Sequence, residues 1–305
     1  MKIITLITLI LSFNLMAAVD RETTNFVTFI NNQLRIEYHL RDKTVTEIHP
    51  ENRPYVSQKE SSDAKNVTYL LHGFIGSPYE MKYIAEKAFE RGDLIFNDLI
   101  LGYGTNANVS NQFKGELWYK QVERNLNFIF NKYEKINLVG FSTGGLLITH
   151  YLKNHPEHKS KVGKIRFISP FYTPNFIIAP TLGKFLSFFV SEVSTTALYK
   201  YIGFPDVEVA TLLPNYYLQT IPLKSALEVS YLAEKIYDNP PTFDFTDVEI
   251  FLTQEDQVLN FNRSEKLLRQ IFPKAKLTIF SGKNSPHHLM APIVSQHADT
   301  IKNSL

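Results

Sequence analysis

From Asn66 onward the chain alternates between short, almost unbroken apolar runs and longer stretches with helical spacing. The runs are "NVTYLLHG" (66–73), "LIFNDLILG" (94–102), "INLVG" (136–140), "IRFIS" (165–169), "VEIFLT" (248–253) and "KLTIF" (276–280). A strand that is apolar at nearly every position has both faces covered, the condition of a strand inside a parallel sheet. Between the runs, residues 78–90, 113–132 and 143–154 carry helical patterns. The alternation predicts an α/β fold: a mostly parallel central sheet flanked by helices. A chain of 305 residues is long enough for one large core, burying about 75% of the surface its unfolded form exposes.

Two stretches break the pattern. Residues 19–65 read as a leading extended segment followed by a polar surface loop, "ENRPYVSQKESSDAKN". Residues 171–243 hold prolines at 174, 180, 205, 214, 222, 240 and 241, and aromatics at Phe185, Phe188, Phe189, Tyr216 and Tyr217. This stretch is expected to form a helical cap or lid, inserted in a core made of residues 19–170 and 244–305. The first eighteen residues, "MKIITLITLILSFNLMAA", run from Lys2 through an apolar stretch to two alanines. They read as an export signal cleaved near Ala18, giving a periplasmic or extracellular protein; an uncleaved anchor is the other reading. A comfortable membrane span would need ~20 apolar residues.

Within this frame, "INLVGFSTGGLLITHYL" (136–152) passes from a strand through Gly140-Phe-Ser142-Thr-Gly144 into a helix. The bare G-x-S-x-G spacing arises by chance in roughly one chain in ten of this length. Between a strand and a helix it marks a nucleophile elbow. The serine takes a strained backbone conformation, and the flanking glycines remove side chains that would collide there. The helix start behind it presents backbone N–H groups and a positive dipole end to any anion formed at the serine. A serine nucleophile needs an imidazole base and a carboxylate to orient that base. "VEIFLTQEDQVLN" places Glu255 and Asp256 just after one strand, and "KLTIFSGKNSPHHLM" places His287 and His288 just after the last. All three groups therefore emerge at the carboxyl edge of the sheet, where open α/β sheets bind ligands. Asp256 is taken as the acid, with Glu255 as the fallback. His287 is taken as the base, with His288 as a neighbour packing on the loop. Thr143, next to the serine, offers one oxyanion N–H, and Phe74 in "LLHGFIGSP" offers the second. His72 is assigned to shaping its turn, and His150 to the core or a helix surface.

The quoted segments resemble the α/β-hydrolase superfamily, and more narrowly its monoacylglycerol lipase and microbial carboxylesterase branch. "LLHGFIGSPYEM" is similar to that branch's oxyanion loop, "LILGYGT" to its glycine turn and "ELWYKQVE" to its tryptophan-bearing helix. "GFSTGG" is similar to its elbow, and "EDQVLN" and "SPHH" to its acid and histidine loops. The resemblance runs from about residue 67 to the C-terminus. It implies Ser142 as nucleophile, Asp256 as acid, His287 as base, and Phe74 and Thr143 as oxyanion donors. Three positions depart from it: Tyr103 stands where the branch has histidine, Thr143 where it has methionine or leucine, and Pro286 where it has glycine.

Composition removes several alternatives. With no cysteine there is no disulfide, thiolate metal site or cysteine nucleophile. No metal is expected: His155 and His158 lie three apart, but Pro156 and the surrounding lysines favour an exposed loop. Neither a G-x-G-x-x-G nor a Walker pattern is present, so no cofactor is expected. A formal net charge of +2 without a dense basic block argues against a nucleic-acid partner. The expected activity is hydrolysis of small carboxylic esters with an apolar acyl group, through a Ser-His-Asp triad and an acyl-enzyme. The Phe- and Leu-rich run 184–190 would line the acyl pocket or pack the cap's own core. Lipid-surface contact through the cap is a further reading. Amide, lactone or thioester substrates, and an inactive scaffold binding an apolar ligand, are the alternatives.

Overall fold

The computed structural model describes residues 19–59, 66–175, 190–197, 208–282 and 285–305. The first eighteen residues, and Phe185, Phe188 and Phe189 of the cap, lie outside these.

Seven strands form the central sheet: β1 (Tyr55–Ser57), β2 (Val67–Leu71), β3 (Leu94–Asp98), β4 (Ile136–Phe141), β5 (Val162–Ile168), β8 (Val248–Thr253) and β9 (Lys276–Phe280). Their order across the sheet is β1-β3-β2-β4-β5-β8-β9. Every pairing is parallel except β1 with β3. Strands β2, β3 and β4 are buried along their whole length, which is why they read as continuous apolar runs. The run at 94–102 is shorter as a strand than its composition suggested. Strand β3 stops at Asp98, whose buried carboxylate accepts from Leu99 N–H, Tyr69 Oη–H and Asn125 Nδ2–H, and a turn follows. Two further short strands, β6 (Glu192–Ser194) and β7 (Thr220–Pro222), pair antiparallel away from the main sheet. The 171–243 stretch is therefore not wholly helical among its described residues.

The flanking helices are α1 (Arg21–Arg41), α2 (Pro78–Glu90), α3 (Gly115–Lys132), α4 (Thr143–Asn154), α5 (Leu223–Asp238), α6 (Phe261–Ile271) and α7 (Ala298–Lys302). Helix α1 corrects the expectation of an extended leading segment. Thr23, Val27, Ile30, Leu34 and Tyr38 are buried, and their spacing of three and four residues lines one helical face. The Asp20 side chain caps the helix by accepting from Thr23 N–H at 3.0 Å, satisfying a donor with no partner inside the helix. The periodicity is blurred in sequence because Phe29, Ile36 and Leu40 point the other way and are exposed. A second correction concerns His155 and His158. They are not on an exposed loop but half-buried around the 3-10 turn Pro156–Lys161. There the His158 ring stacks on Phe130, and His155 on Tyr151. Among the described residues, no helix is long and apolar enough to cross a membrane.

Truncating the buried face of α1 tests its place in the core. Leu34→Ala is expected to lower unfolding free energy by about 2–5 kcal/mol, whereas Leu40→Ala, at a position 62% exposed, shifts it by less than about 0.5 kcal/mol. Denaturant titration of the two variants reads the difference. Equal effects would contradict the docking of α1 on this face.

Candidate active site

Strand β4 ends at Phe141 and helix α4 begins at Thr143, leaving Ser142 alone to reverse the chain. Its backbone sits at φ 48° and ψ −115°, a conformation that costs a non-glycine residue of order 1–3 kcal/mol. Several bonds hold it there. Ser142 N–H donates to Ile168 O, and Ser142 O accepts from Phe171 N–H and Leu146 N–H. The glycines are required by contact. A Cβ on Gly144 would lie 2.1 Å from the Leu71 carbonyl oxygen, and one on Gly140 would lie 2.6 Å from Gly145 N. Gly73, just after β2, has its α-carbon so close to the elbow that a Cβ there would meet the Phe141 ring at 2.7 Å and Ser142 Cβ at 3.2 Å.

The other expected groups arrive from β8 and β9. His287 Nε2 lies 3.0 Å from Ser142 Oγ. His287 Nδ1 lies 2.8 Å from Asp256 Oδ2, while Asp256 Oδ1 accepts from Val258 and Leu259 N–H, each at 2.8 Å. With Nδ1–H donating to the carboxylate, Nε2 is left to accept from the serine hydroxyl. All three side chains are buried. The backbone carrying His287 is pinned by Ser169 Oγ, which donates to His287 O at 3.0 Å, and by Thr253 Oγ1, which donates to Ser285 O at 2.6 Å. Ser169 itself adopts a positive φ of 41°.

The alternatives weighed on sequence separate cleanly. Glu255 turns away from the imidazole: its carboxylate accepts from Gly282 N–H at 2.9 Å. His288 is buried beneath the site, its Nε2 3.5 Å from Glu80 Oε1. Glu80, fully within the protein and not singled out on sequence, accepts from Gly73 N–H at 2.7 Å. Burial pushes its carboxyl up to about 8. The Ser-x-x-Glu spacing before α2 reads as an ordinary helix cap, so no sequence signal separated Glu80 from one. His72 shapes its turn as expected. One ring nitrogen bonds Gly73 O at 2.7 Å, and Nε2 accepts from Ile100 N–H at 3.0 Å; burial lowers its pKa to about 3. Thr143 is buried at the first position of α4, where a helix leaves its N–H groups without intrahelical partners. Phe74 follows Gly73 on the loop after β2, its ring edge-on to Tyr103 at 5.7 Å. Tyr103 fills the space between His72, Phe74 and Trp118, and its turn is held by Gly102 N–H donating to Tyr38 Oη of α1 at 2.7 Å.

The fold recurs in solved structures. A metagenome-derived lipolytic enzyme superposes with a TM-score of 0.65 at 16% identity, over 84% of this chain and 96% of that one. A monoglyceride lipase from Saccharomyces cerevisiae superposes at 0.62 with 12% identity, over 84% and 92%. The chain has the α/β-hydrolase fold. The monoacylglycerol lipase of Paleococcus ferrophilus shares the hydrolase fold at 0.61, with 15% identity over 82% and 96% of the two chains. The family model described as "Putative serine esterase (DUF676)" matches residues 61–200 of this chain. A thermostable monoacylglycerol lipase from Bacillus sp. (strain H-257) is 27% identical over 110 residues, 35% of this chain and 44% of that lipase. The alignment thus spans less than half of that relative. The family model carries a serine esterase description, and the relative and these structures carry lipase or lipolytic names.

Two tests follow from the packing. Gly144→Ala must displace the Leu71 carbonyl, so an unfolding loss of about 1–3 kcal/mol or more is expected; wild-type stability would show that the elbow is looser than described. His150, buried on α4 with Nε2 against Leu232 O, has its pKa lowered by burial from 6.5 to about 4. Unfolded chain takes up that proton near 6.5 and native chain only near 4, so acid favours unfolding across this window. His150→Gln should therefore lose less stability than wild type between pH 6.5 and 4.5, by up to about 1.4 kcal/mol per pH unit. Parallel pH curves for the two proteins would contradict a buried neutral imidazole.

Proposed function

We propose that this hydrolase cleaves small carboxylic esters with an apolar acyl group, through Ser142, His287 and Asp256. The observation that carries the reading is the unbroken hydrogen-bond chain from Asp256 through His287 to Ser142 at 2.8 and 3.0 Å. Ser142 Oγ attacks the ester carbonyl carbon while His287 Nε2 takes its proton. Asp256, fixed by two backbone N–H groups, holds the imidazole and stabilises the imidazolium. The carbonyl oxygen becomes an oxyanion, received by the N–H groups of Thr143 and Phe74. Collapse breaks the bond to the alcohol oxygen, which leaves with the proton from His287. Water, deprotonated by the same imidazole, then attacks the acyl-enzyme and releases the acid. One such N–H donor is worth about 2.7–4 kcal/mol of barrier.

The wider reading is an exported enzyme whose first eighteen residues are removed, with residues 171–243 covering the site as a lid. The apolar run 184–190 would supply acyl contacts, and lipid surfaces are a further partner through that lid. The esterase and lipase names of the matched proteins support an ester over an amide, lactone or thioester.

Purified protein should hydrolyse p-nitrophenyl esters with an optimum at one acyl length. Ser142→Ala should lower kcat by about 10⁴-fold or more, and Asp256→Asn by about 10⁴-fold. Activity surviving in Ser142→Ala would overturn the assignment, and turnover of amides or lactones in place of esters would move the substrate class.

A further inference from the structure

Helix α2 begins at Pro78 after Ser77, and Glu80 stands at its third position. In a helix cap of that spacing the serine hydroxyl and the glutamate would bond each other's backbone N–H groups. Neither does. Ser77 Oγ donates to Asn52 Oδ1 at 2.8 Å, and the Ser77 side chain makes no cap bond. The Glu80 carboxyl instead reaches back inside the loop that follows β2. Its Oε2 accepts from Gly73 N–H at 2.7 Å, and a Cβ on Gly76 would lie 2.6 Å from the same oxygen. The loop therefore wraps the carboxyl with backbone at both ends, Gly76 N–H closing it on Gly73 O at 3.4 Å. Ile75 inside the loop is held at φ 58°, a conformation that needs support from its surroundings. Leu218 N–H adds some by donating to Ile75 O at 2.9 Å.

The groups facing Glu80 are few. Tyr217, from the segment before β7, brings its phenol near that carboxyl. His288 Nε2 approaches Oε1 at 3.5 Å, and His287 lies beyond it, its ring 5.7 Å from that of His288. Glu80 Oε1 and His288 Nδ1 are both buried without a hydrogen bond. Among the described residues, no lysine or arginine nitrogen lies within ion-pair distance of Glu80, and the His288 contact pairs two groups that burial holds neutral. So buried a carboxyl with no lysine or arginine beside it favours the neutral acid. Burial likewise keeps His288 uncharged, well below the ordinary imidazole range.

We propose that Glu80 is a positioning residue for the oxyanion loop, the template around which Gly73–Gly76 folds, with His288 bracing it against the backbone that carries His287. The proposal rests on the reading of Ser142 as nucleophile and Phe74 as oxyanion donor. Phe74 sits between the two glycines that the carboxyl touches, so the placement of its N–H follows the placement of Glu80. A donor that is displaced fails the transition state more than the ground state. Ionisation of Glu80 leaves an uncompensated buried charge inside the loop, which loosens it. The glutamine amide has the same shape, still accepts from Gly73 N–H, and does not ionise.

The experiment is a pH profile of ester hydrolysis for wild type, Glu80→Gln and Glu80→Ala, with fluorophosphonate labelling as a control on the serine itself. Wild type is expected to lose kcat as pH rises through about 8. Glu80→Gln should carry that loss at least about one pH unit higher. Glu80→Ala should lower kcat about 10-fold or more with KM within about 3-fold, and Glu80→Gln should recover most of that rate. An alkaline limb that is absent in wild type, or unchanged in Glu80→Gln, overturns the proposal even if Glu80→Ala does not fold. Equal kcat in Glu80→Ala and wild type overturns it too. Wild type that neither turns over ester nor takes up the fluorophosphonate instead removes the nucleophile reading beneath it.

Discussion

The structure depends on one close approach, that of the β4–α4 elbow to the end of β2. Gly144 rests against the Leu71 and His72 carbonyls with no room for a methyl group, and Gly73 rests against Ser142 on the other side. Because β2 and β4 are neighbours in register, Leu71 opposite Gly140, sheet pairing and elbow packing specify the same arrangement. The strained serine follows from it. The helix start is clamped below, the strand end is bonded to β5 through Ile168 O, and Ser142 takes the one backbone conformation that connects them. A conformation costing a few kcal/mol is stable only when over-determined in this way.

Around that contact the protein buries many polar groups and ties down those that carry the site. Asp256 is tied to two backbone N–H groups, Ser169 and Thr253 tie down the histidine loop, and Tyr38 of α1 ties down the turn bearing Tyr103. Such networks fix geometry because a broken member is left unsatisfied away from water. Glu80 and His288 each leave one buried atom without a hydrogen bond, and Glu80 bonds the loop expected to receive the oxyanion. Helix α1, remote in sequence from the elbow, thus contributes to the site by buttressing the turn that packs against Phe74.

Much of this was legible in the sequence, for physical reasons. Strands buried on both faces must be apolar throughout, so β2, β4 and β8 announced themselves, and their order predicted an edge where Ser142, Asp256 and His287 meet. The glycine spacing at the elbow reads as a steric requirement. What was not legible depends on distant partners. Helix α1 hid behind exposed Phe29, Ile36 and Leu40. His155 and His158 read as loop because their stacking on Tyr151 and Phe130 pairs residues from separate elements. Glu80 gave no signal because its partners, Gly73 and His288, are set by the tertiary fold.

The central claim is that Ser142 becomes covalently acylated during turnover. The most direct measurement is mass spectrometry of protein quenched in acid while hydrolysing a slowly turned-over ester, followed by peptide mapping. The account predicts one adduct, equal in mass to the acyl group, on the peptide containing Ser142, and none in Ser142→Ala. An adduct on another residue, or turnover with no adduct in wild type, would contradict it.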